Sequence, residues 1–152
     1  MFLAIDPGIK TGWCVLDAGG VVAACGKGEE FPTLSSRAAV IERPQVYRAG
    51  KSKGDPNDLI TLAIRVGRYV ERLERCGVRT ELVLPTTWKG QVPKRIHHDR
   101  VAALLTTAER DTIFRVAKRP GDSGYSEDVW DAVALAKWAC QAGRFAIAHV
   151  AR

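Results

Sequence analysis

The chain opens on an apolar run, Phe2 to Ile5, closed by Asp6-Pro7-Gly8. Runs without polar alternation mark strands covered on both faces, so this one is expected in the centre of a sheet. Gly12 to Asp17 and Val21 to Cys25 are two further β-prone stretches, and the Asp17-Ala-Gly-Gly20 segment between them has the chemistry of a tight hairpin turn. The chain therefore begins as a three-stranded meander. Ala38 to Ile41 and Glu81 to Leu84 are short apolar runs on either side of a helical pattern from about Asn57 to Cys76, which Gly77 stops. Strand, helix, strand in that order predicts a parallel βαβ unit.

Beyond Pro85 the periodicity becomes helical, over Arg95 to Leu105 and over Ala108 to Val116 with Thr107 as N-cap. A Pro-Gly-Asp-Ser-Gly loop follows, and then a helix from Glu127 to Gln141 behind Ser126. Its Val, Trp, Ala and Leu residues leave little polar face, which predicts burial. The sum is an α/β domain with a meander, two parallel strands and helices on the sheet faces. In the helix near 57–76, Leu59, Leu62, Ala63, Val66, Val70 and Leu73 form one stripe, and Ile60, Ile64 and Gly67 widen it. Thr61, Arg65, Arg68 and Arg72 mark the solvent side. An apolar face wider than one sheet contact requires predicts a second copy of the helix, hence a homodimer.

Composition adds a partner class. The 152 residues are 46% hydrophobic and 26% charged, which fits a single domain over 1–152. Lys plus Arg total 23 against 17 Asp plus Glu, a net charge of +6 that favours an anionic partner. Cysteines at 14, 25, 76 and 140 match neither zinc nor disulfide spacing, so they are read as reduced, mostly buried thiols. The first residues lack the basic region of a signal peptide, and no window supplies the roughly 18 apolar residues of a membrane span. These features predict a soluble cytoplasmic protein. Walker, dinucleotide-binding and Gly-x-Ser-x-Gly motifs do not occur.

Four acids stand at element ends: Asp6 after the first strand, Glu42 after the fourth, and Asp128 and Asp131 in the first turns of the last helix. If the first and fourth strands are parallel neighbours, Asp6 and Glu42 emerge at one carboxyl edge, where open α/β sheets build their sites. A spacing of three puts Asp128 and Asp131 on one helix face. Clustered carboxylates repel one another unless cations neutralise them. Oxygen-only donors select hard ions such as Mg²⁺ or Mn²⁺, and two such ions can hydrolyse a phosphodiester. Turn and dipole roles account for Asp6 and Asp128 taken singly. No turn or cap accounts for Glu42 beside Arg43 and Pro44.

Leu3-Ala-Ile-Asp-Pro-Gly8 with Thr11-Gly12, Val40-Ile-Glu42 and Asp128-x-x-Asp131-Ala, in that order, resemble RuvC-type Holliday-junction resolvases of the RNase H-like superfamily. The resemblance implies a five-stranded mixed sheet flanked by helices, a homodimer, and Mg²⁺-dependent paired nicks in four-way DNA junctions. It implies that Asp6, Glu42, Asp128 and Asp131 are metal ligands. Gln45-Val46-Tyr47 is similar to the family's Gln-Val-aromatic, which would make Tyr47 the residue that stacks at the junction. Trp88-Lys89 and Lys94 fall where the family places lysines. Their short interval and the Trp-Lys-Gly form look like bacteriophage-encoded relatives.

Arg43, Arg48, Lys51 and Lys53 form a basic run beside Glu42 suited to phosphates, and Lys89, Lys94, Arg95 and Arg100 extend the basic set. Trp13, Trp130 and Trp138 read as core, and Trp88 stays open. Adjacent His97 and His98 point apart on a helix and make a poor metal pair, so they are assigned to the surface or to phosphate contact. The expected activity is a two-metal endonuclease acting on branched DNA, with Lys94 or Lys89 stabilising charge on the scissile phosphate. An RNA-processing nuclease of the same superfamily and a non-catalytic junction-binding module are the alternatives.

Overall fold

The computed structural model describes residues 1–33, 35–46 and 55–143. Five strands, β1 (Phe2–Asp6), β2 (Gly12–Leu16), β3 (Val22–Lys27), β4 (Ala38–Glu42) and β5 (Arg79–Val83), make one sheet in the order β3-β2-β1-β4-β5. The meander pairs antiparallel, β1 with β2 and β2 with β3. β1 and β4 pair parallel, as do β4 and β5. The helices are α1 (Pro56–Arg75), α2 (Pro85–Trp88), α3 (Lys94–Leu104), α4 (Thr107–Ala117) and α5 (Glu127–Gln141). Among the described residues, no helix is long and apolar enough to cross a membrane.

All five residues of β1 are buried because both sheet faces are covered. Side chains alternate across a strand, so Phe2 and Ala4 join the core under α5 while Leu3 and Ile5 join the core under α1. β4 repeats this division, with Ala38 and Val40 on the α5 side and Ala39 and Ile41 on the α1 side. Asp6 and Glu42, two residues beyond Ala4 and Val40, therefore have the parity of the α5 face.

Four expectations need correction. Thr106, not Thr107, caps α4: its hydroxyl accepts from the Glu109 N–H, and Glu109 reaches back to the Thr106 N–H, a capping box. β5 starts two residues before the predicted run, because Arg79 and Thr80 register against Ala38 and Ala39 despite their polarity. Only Cys14 and Cys25 are buried; Cys76 and Cys140 are exposed, and all four are free thiols. The buried stripe of α1 is Val66, Tyr69 and Leu73, rolled by about 40° from the predicted centre. Arg65 and Arg72 lie on the flank it rolls toward and are not solvent markers. Arg65 donates to the carbonyls of Gly8 (2.7 Å) and Ile9, and Arg72 donates to the carbonyl of Glu29 and stacks over Phe31. The roll leaves Ile60 (59% exposed) and Ile64 (54% exposed) without cover from the described residues.

Glu109, 2% exposed, ties the layers together. Its carboxylate accepts from the Val22 N–H, the Thr106 N–H and hydroxyl, and the Lys137 ammonium, which also donates to the Gly20 carbonyl. Burial alone would push this carboxyl up, but Lys137 and the backbone donors hold it down at about 2. Its folded value is depressed, so its stabilisation is complete above the ordinary value of 4.5 and is lost as pH falls toward 2. Glu109→Gln is expected to lower unfolding free energy at pH 7 by about 3 kcal/mol and to flatten the decline between pH 4.5 and 2, measured by urea unfolding across pH.

Candidate active site

The parallel register sets Ile5 beside Ile41, so the next residues, Asp6 and Glu42, leave the carboxyl ends of adjacent strands. α5 brings the third carboxylate. Its first turn rests on β2 at Gly12, where a Cβ would lie 2.0 Å from the Asp128 carbonyl oxygen. Only glycine permits that approach, and it carries Asp131, 1% exposed, over the ends of β1 and β4. Asp128 is more open and ion-pairs with Lys27 at 3.3 Å. Its Oδ1 and the Asp6 Oδ2 both lie within 4 Å of where a Cβ on Gly8 would stand. The Asp6-Pro-Gly8 turn thus runs between the two acids, and Arg65 holds it by the Gly8 carbonyl.

The electrostatics divide the acids. Burial pushes the Asp6 carboxyl well above the usual carboxylate range, and repulsion from Glu42 and Asp131 adds to this. Burial also raises Glu42, against the opposing pull of Lys89 and the hydrogen bond from the Trp88 indole N–H (2.9 Å). Burial would raise Asp131 too, but His98 (3.0 Å), Lys89 (3.1 Å) and Lys94 (2.7 Å) hold it far below the usual range. Burial disfavours the Lys94 ammonium, yet Asp131 above all, with Asp6 and Glu127, raises its value. Asp6 and Glu42 are short of counter-charge, whereas Asp131 has three donors.

That imbalance fits a hard cation. The four acids supply oxygen donors only, and a divalent ion would relieve the Asp6–Glu42 repulsion directly. Among the described residues, no three His, Cys, Asp or Glu side chains are drawn together tightly enough to hold an ion. Ammonium groups occupy the carboxylates instead: Lys27 on Asp128, and Lys89 and Lys94 on Asp131.

Among the basic candidates, Lys89 and Lys94 ion-pair with Asp131, while Arg43, Arg95 and Arg100 are exposed and, among the described residues, form no ion pair with the four acids. Arg95 instead lies within reach of Asp99 at 4.0 Å. Tyr47, Arg48, Lys51 and Lys53 fall outside the described residues. Three participants escaped the sequence reading. Trp88 is buried and orients Glu42, Arg65 anchors the loop after Asp6, and His98 is fully buried on Asp131. The last corrects the surface or phosphate-contact assignment of His98. Its signal was the interval of four from Lys94, which puts both residues on one face of α3.

No protein-family model matches the chain, and no curated protein matches it. Among solved structures it is similar to Thermus thermophilus RuvC, at 16% identity over 93% of this chain and 96% of that one, with a TM-score of 0.50. It is also similar to T. thermophilus RuvC in complex with Holliday junction substrate, at 18% identity over 97% and 98%, with a TM-score of 0.59. The chain has the RuvC fold, a five-stranded mixed sheet of the RNase H-like kind flanked by helices.

The contact at Gly12 yields a direct test. Gly12→Ala forces α5 away from β2 and is expected to destabilise the fold by about 1–3 kcal/mol. Urea unfolding would measure this, with a midpoint equal to that of the parent chain counting against the close approach.

Proposed function

We propose that this chain is a metal-dependent endonuclease that resolves four-way and other branched DNA by paired nicks as a homodimer. The observation that carries the reading is the set of mutually repelling carboxylates at the sheet edge, buried Asp6 and Asp131 with half-buried Glu42, bracketed by Lys89 and Lys94. The RuvC fold and the junction bound by the solved relative supply its substrate class.

Asp6, with Glu42 for one ion and with Asp128 and Asp131 for the other, would hold two Mg²⁺ ions, for which Mn²⁺ would substitute. Bound ions would supply a water of lowered pKa and neutralise charge on the phosphodiester. The chain's own residues do the positioning. Trp88 fixes the Glu42 carboxylate by its indole N–H. Lys94, half-exposed above the acids, has the reach to transfer from Asp131 to a scissile phosphate, and Lys89 is the other lysine so placed. Arg43, Arg95 and Arg100, with Arg48, Lys51 and Lys53 from the sequence, would carry duplex phosphates, and Tyr47 would stack at the branch.

The uncovered flank of α1 supports the homodimer. Ile60 and Ile64 stand exposed beside a groove of about 650 Å³ lined by apolar residues, among them Ala63, Val70 and Leu82, and by the charged Arg43, Glu71, Glu74 and Arg75. A second copy of α1 is the occupant of matching chemistry.

Asp6→Asn or Glu42→Gln is expected to reduce Mg²⁺-dependent nicking of a four-way junction by about 10³-fold while junction binding in chelator survives. Undiminished cutting by either variant, or by the parent chain in excess chelator, would overturn the reading, and preferential cutting of an RNA junction would redirect it. Sedimentation of the free protein at micromolar concentration is expected to give a dimer that Ile64→Arg converts to a monomer, with loss of paired nicking. A monomeric parent chain whose paired nicking is indifferent to Ile64→Arg would remove the dimer.

A further inference from the structure

Three donors converge on one carboxylate, and they divide its oxygens. His98 Nε2 (3.0 Å) and Lys89 Nζ (3.1 Å) both meet Asp131 Oδ1, while Lys94 Nζ lies 2.7 Å from Oδ2. The three differ in freedom. The His98 side chain is 0% exposed, that of Lys89 is 15% exposed, and that of Lys94 is 44% exposed. The imidazole is lodged among the rings of Tyr125, Trp130 and His97, with centroids 6.0 to 6.3 Å away.

An ionised carboxylate only accepts hydrogen bonds, so Nε2 must carry the proton. The other ring nitrogen, Nδ1, is buried with no hydrogen-bond partner among the described residues. Leaving a buried polar atom unpaired is destabilising, so packing alone does not explain an imidazole in an aromatic cage that phenylalanine would fill without that cost. The bond to Asp131 is what distinguishes the two rings. A carboxylate plane rotates broadly about its terminal torsion, and a rigid donor on one oxygen restricts that rotation.

We propose that His98 is a positioning residue: its Nε2–H fixes Asp131 Oδ1, leaving Oδ2 as the oxygen that exchanges the Lys94 ammonium for a divalent cation. The inference rests on the reading of Asp131 as a metal ligand given above. Lys94 suits the exchanging role because its side chain is the most exposed of the three and leaves without opening the core. His98 suits the fixed role because three rings, from α3, α5 and the loop before α5, stand around it: His97, Trp130 and Tyr125.

The experiment compares the intact chain with His98→Phe, which keeps a ring in the cage without a donor, and His98→Gln, which keeps a donor at similar reach. Mn²⁺ binding without DNA is read from the electron paramagnetic resonance of the free ion, beside the Mg²⁺ concentration for half-maximal nicking and junction binding in chelator. In His98→Phe both metal quantities are expected to rise about 10-fold while junction binding is unchanged, and in His98→Gln both stay within about threefold of the parent chain. A purely structural role would lower the melting temperature and leave both metal quantities alone. A folded His98→Phe with the parent's Mn²⁺ affinity overturns the proposal. Should His98→Phe not fold, His98→Asn, whose amide is too short to reach Oδ1, takes its place under the same criteria. A parent chain that neither binds Mn²⁺ nor nicks would fail the nuclease reading itself, whereas one that does both, alongside an indifferent His98→Phe, fails only the role of His98.

Discussion

A Cβ on Gly12 would stand 2.0 Å from the Asp128 carbonyl oxygen and 2.3 Å from its carbon. Backbone therefore meets backbone where α5 crosses β2, and nine residues of α5 are buried as a result. The helix lies across β1, β2, β3 and β4, so its height above the sheet decides where Asp131 falls relative to Asp6 and Glu42. A larger residue at position 12 would raise the first turn, the very turn that bears Asp128. The apolar length of α5 supplies the driving force of burial, and one glycine sets the distance at which that burial ends.

Strand parity does the complementary work from below. Because β1 and β4 are parallel and in register, residues of like parity at their ends share a face and an edge. Asp6 and Glu42 are placed by backbone pairing that is buried on both faces, so neither can move away from the other without breaking the sheet. Their repulsion is consequently a fixed cost, offset by the core on which it stands rather than relieved by rearrangement. Trp88 and the two lysines lower that cost without removing it, since burial still leaves Asp6 and Glu42 raised. Sites that break local rules of stability in this way are where function concentrates.

Much of this was legible in the residues. The unbroken apolar run of β1, the helix boundaries of α5 and the parallel βαβ unit follow from periodicity and end signals, and they place Asp6, Glu42 and Asp131 at one edge. What was not legible depends on tertiary contact. Trp88 sits in a four-residue helix too short for any period, and its bond to Glu42 spans 46 positions. The interval from Lys94 puts His98 on the site-facing side of α3, but not at its depth, because two of the rings around it, Tyr125 and Trp130, come from other elements. The roll of α1 was missed for a related reason. Tyr69, excluded from an aliphatic stripe, hydrogen-bonds Thr11 through its hydroxyl at 2.7 Å and draws the helix toward its own side. The cap at Thr106 was an avoidable miss, since Thr106-x-x-Glu109 is written in the chain.

The same roll of α1 joins two features that sequence treats as separate. With Tyr69 turned inward, Arg65 comes to face the Gly8 and Ile9 carbonyls, and the loop leaving Asp6 acquires an anchor on a twenty-residue helix. With the aliphatic flank turned outward, Ile60 and Ile64 are left without cover from the described residues of this chain. A guanidinium bonded to main-chain carbonyls holds geometry more firmly than an exposed ion pair would, because its planar fork loses little freedom on binding. The arrangement of α1 is thus set by polar contacts at one flank and by the sheet beneath, and the exposed apolar arc is their consequence rather than an independent feature of the helix.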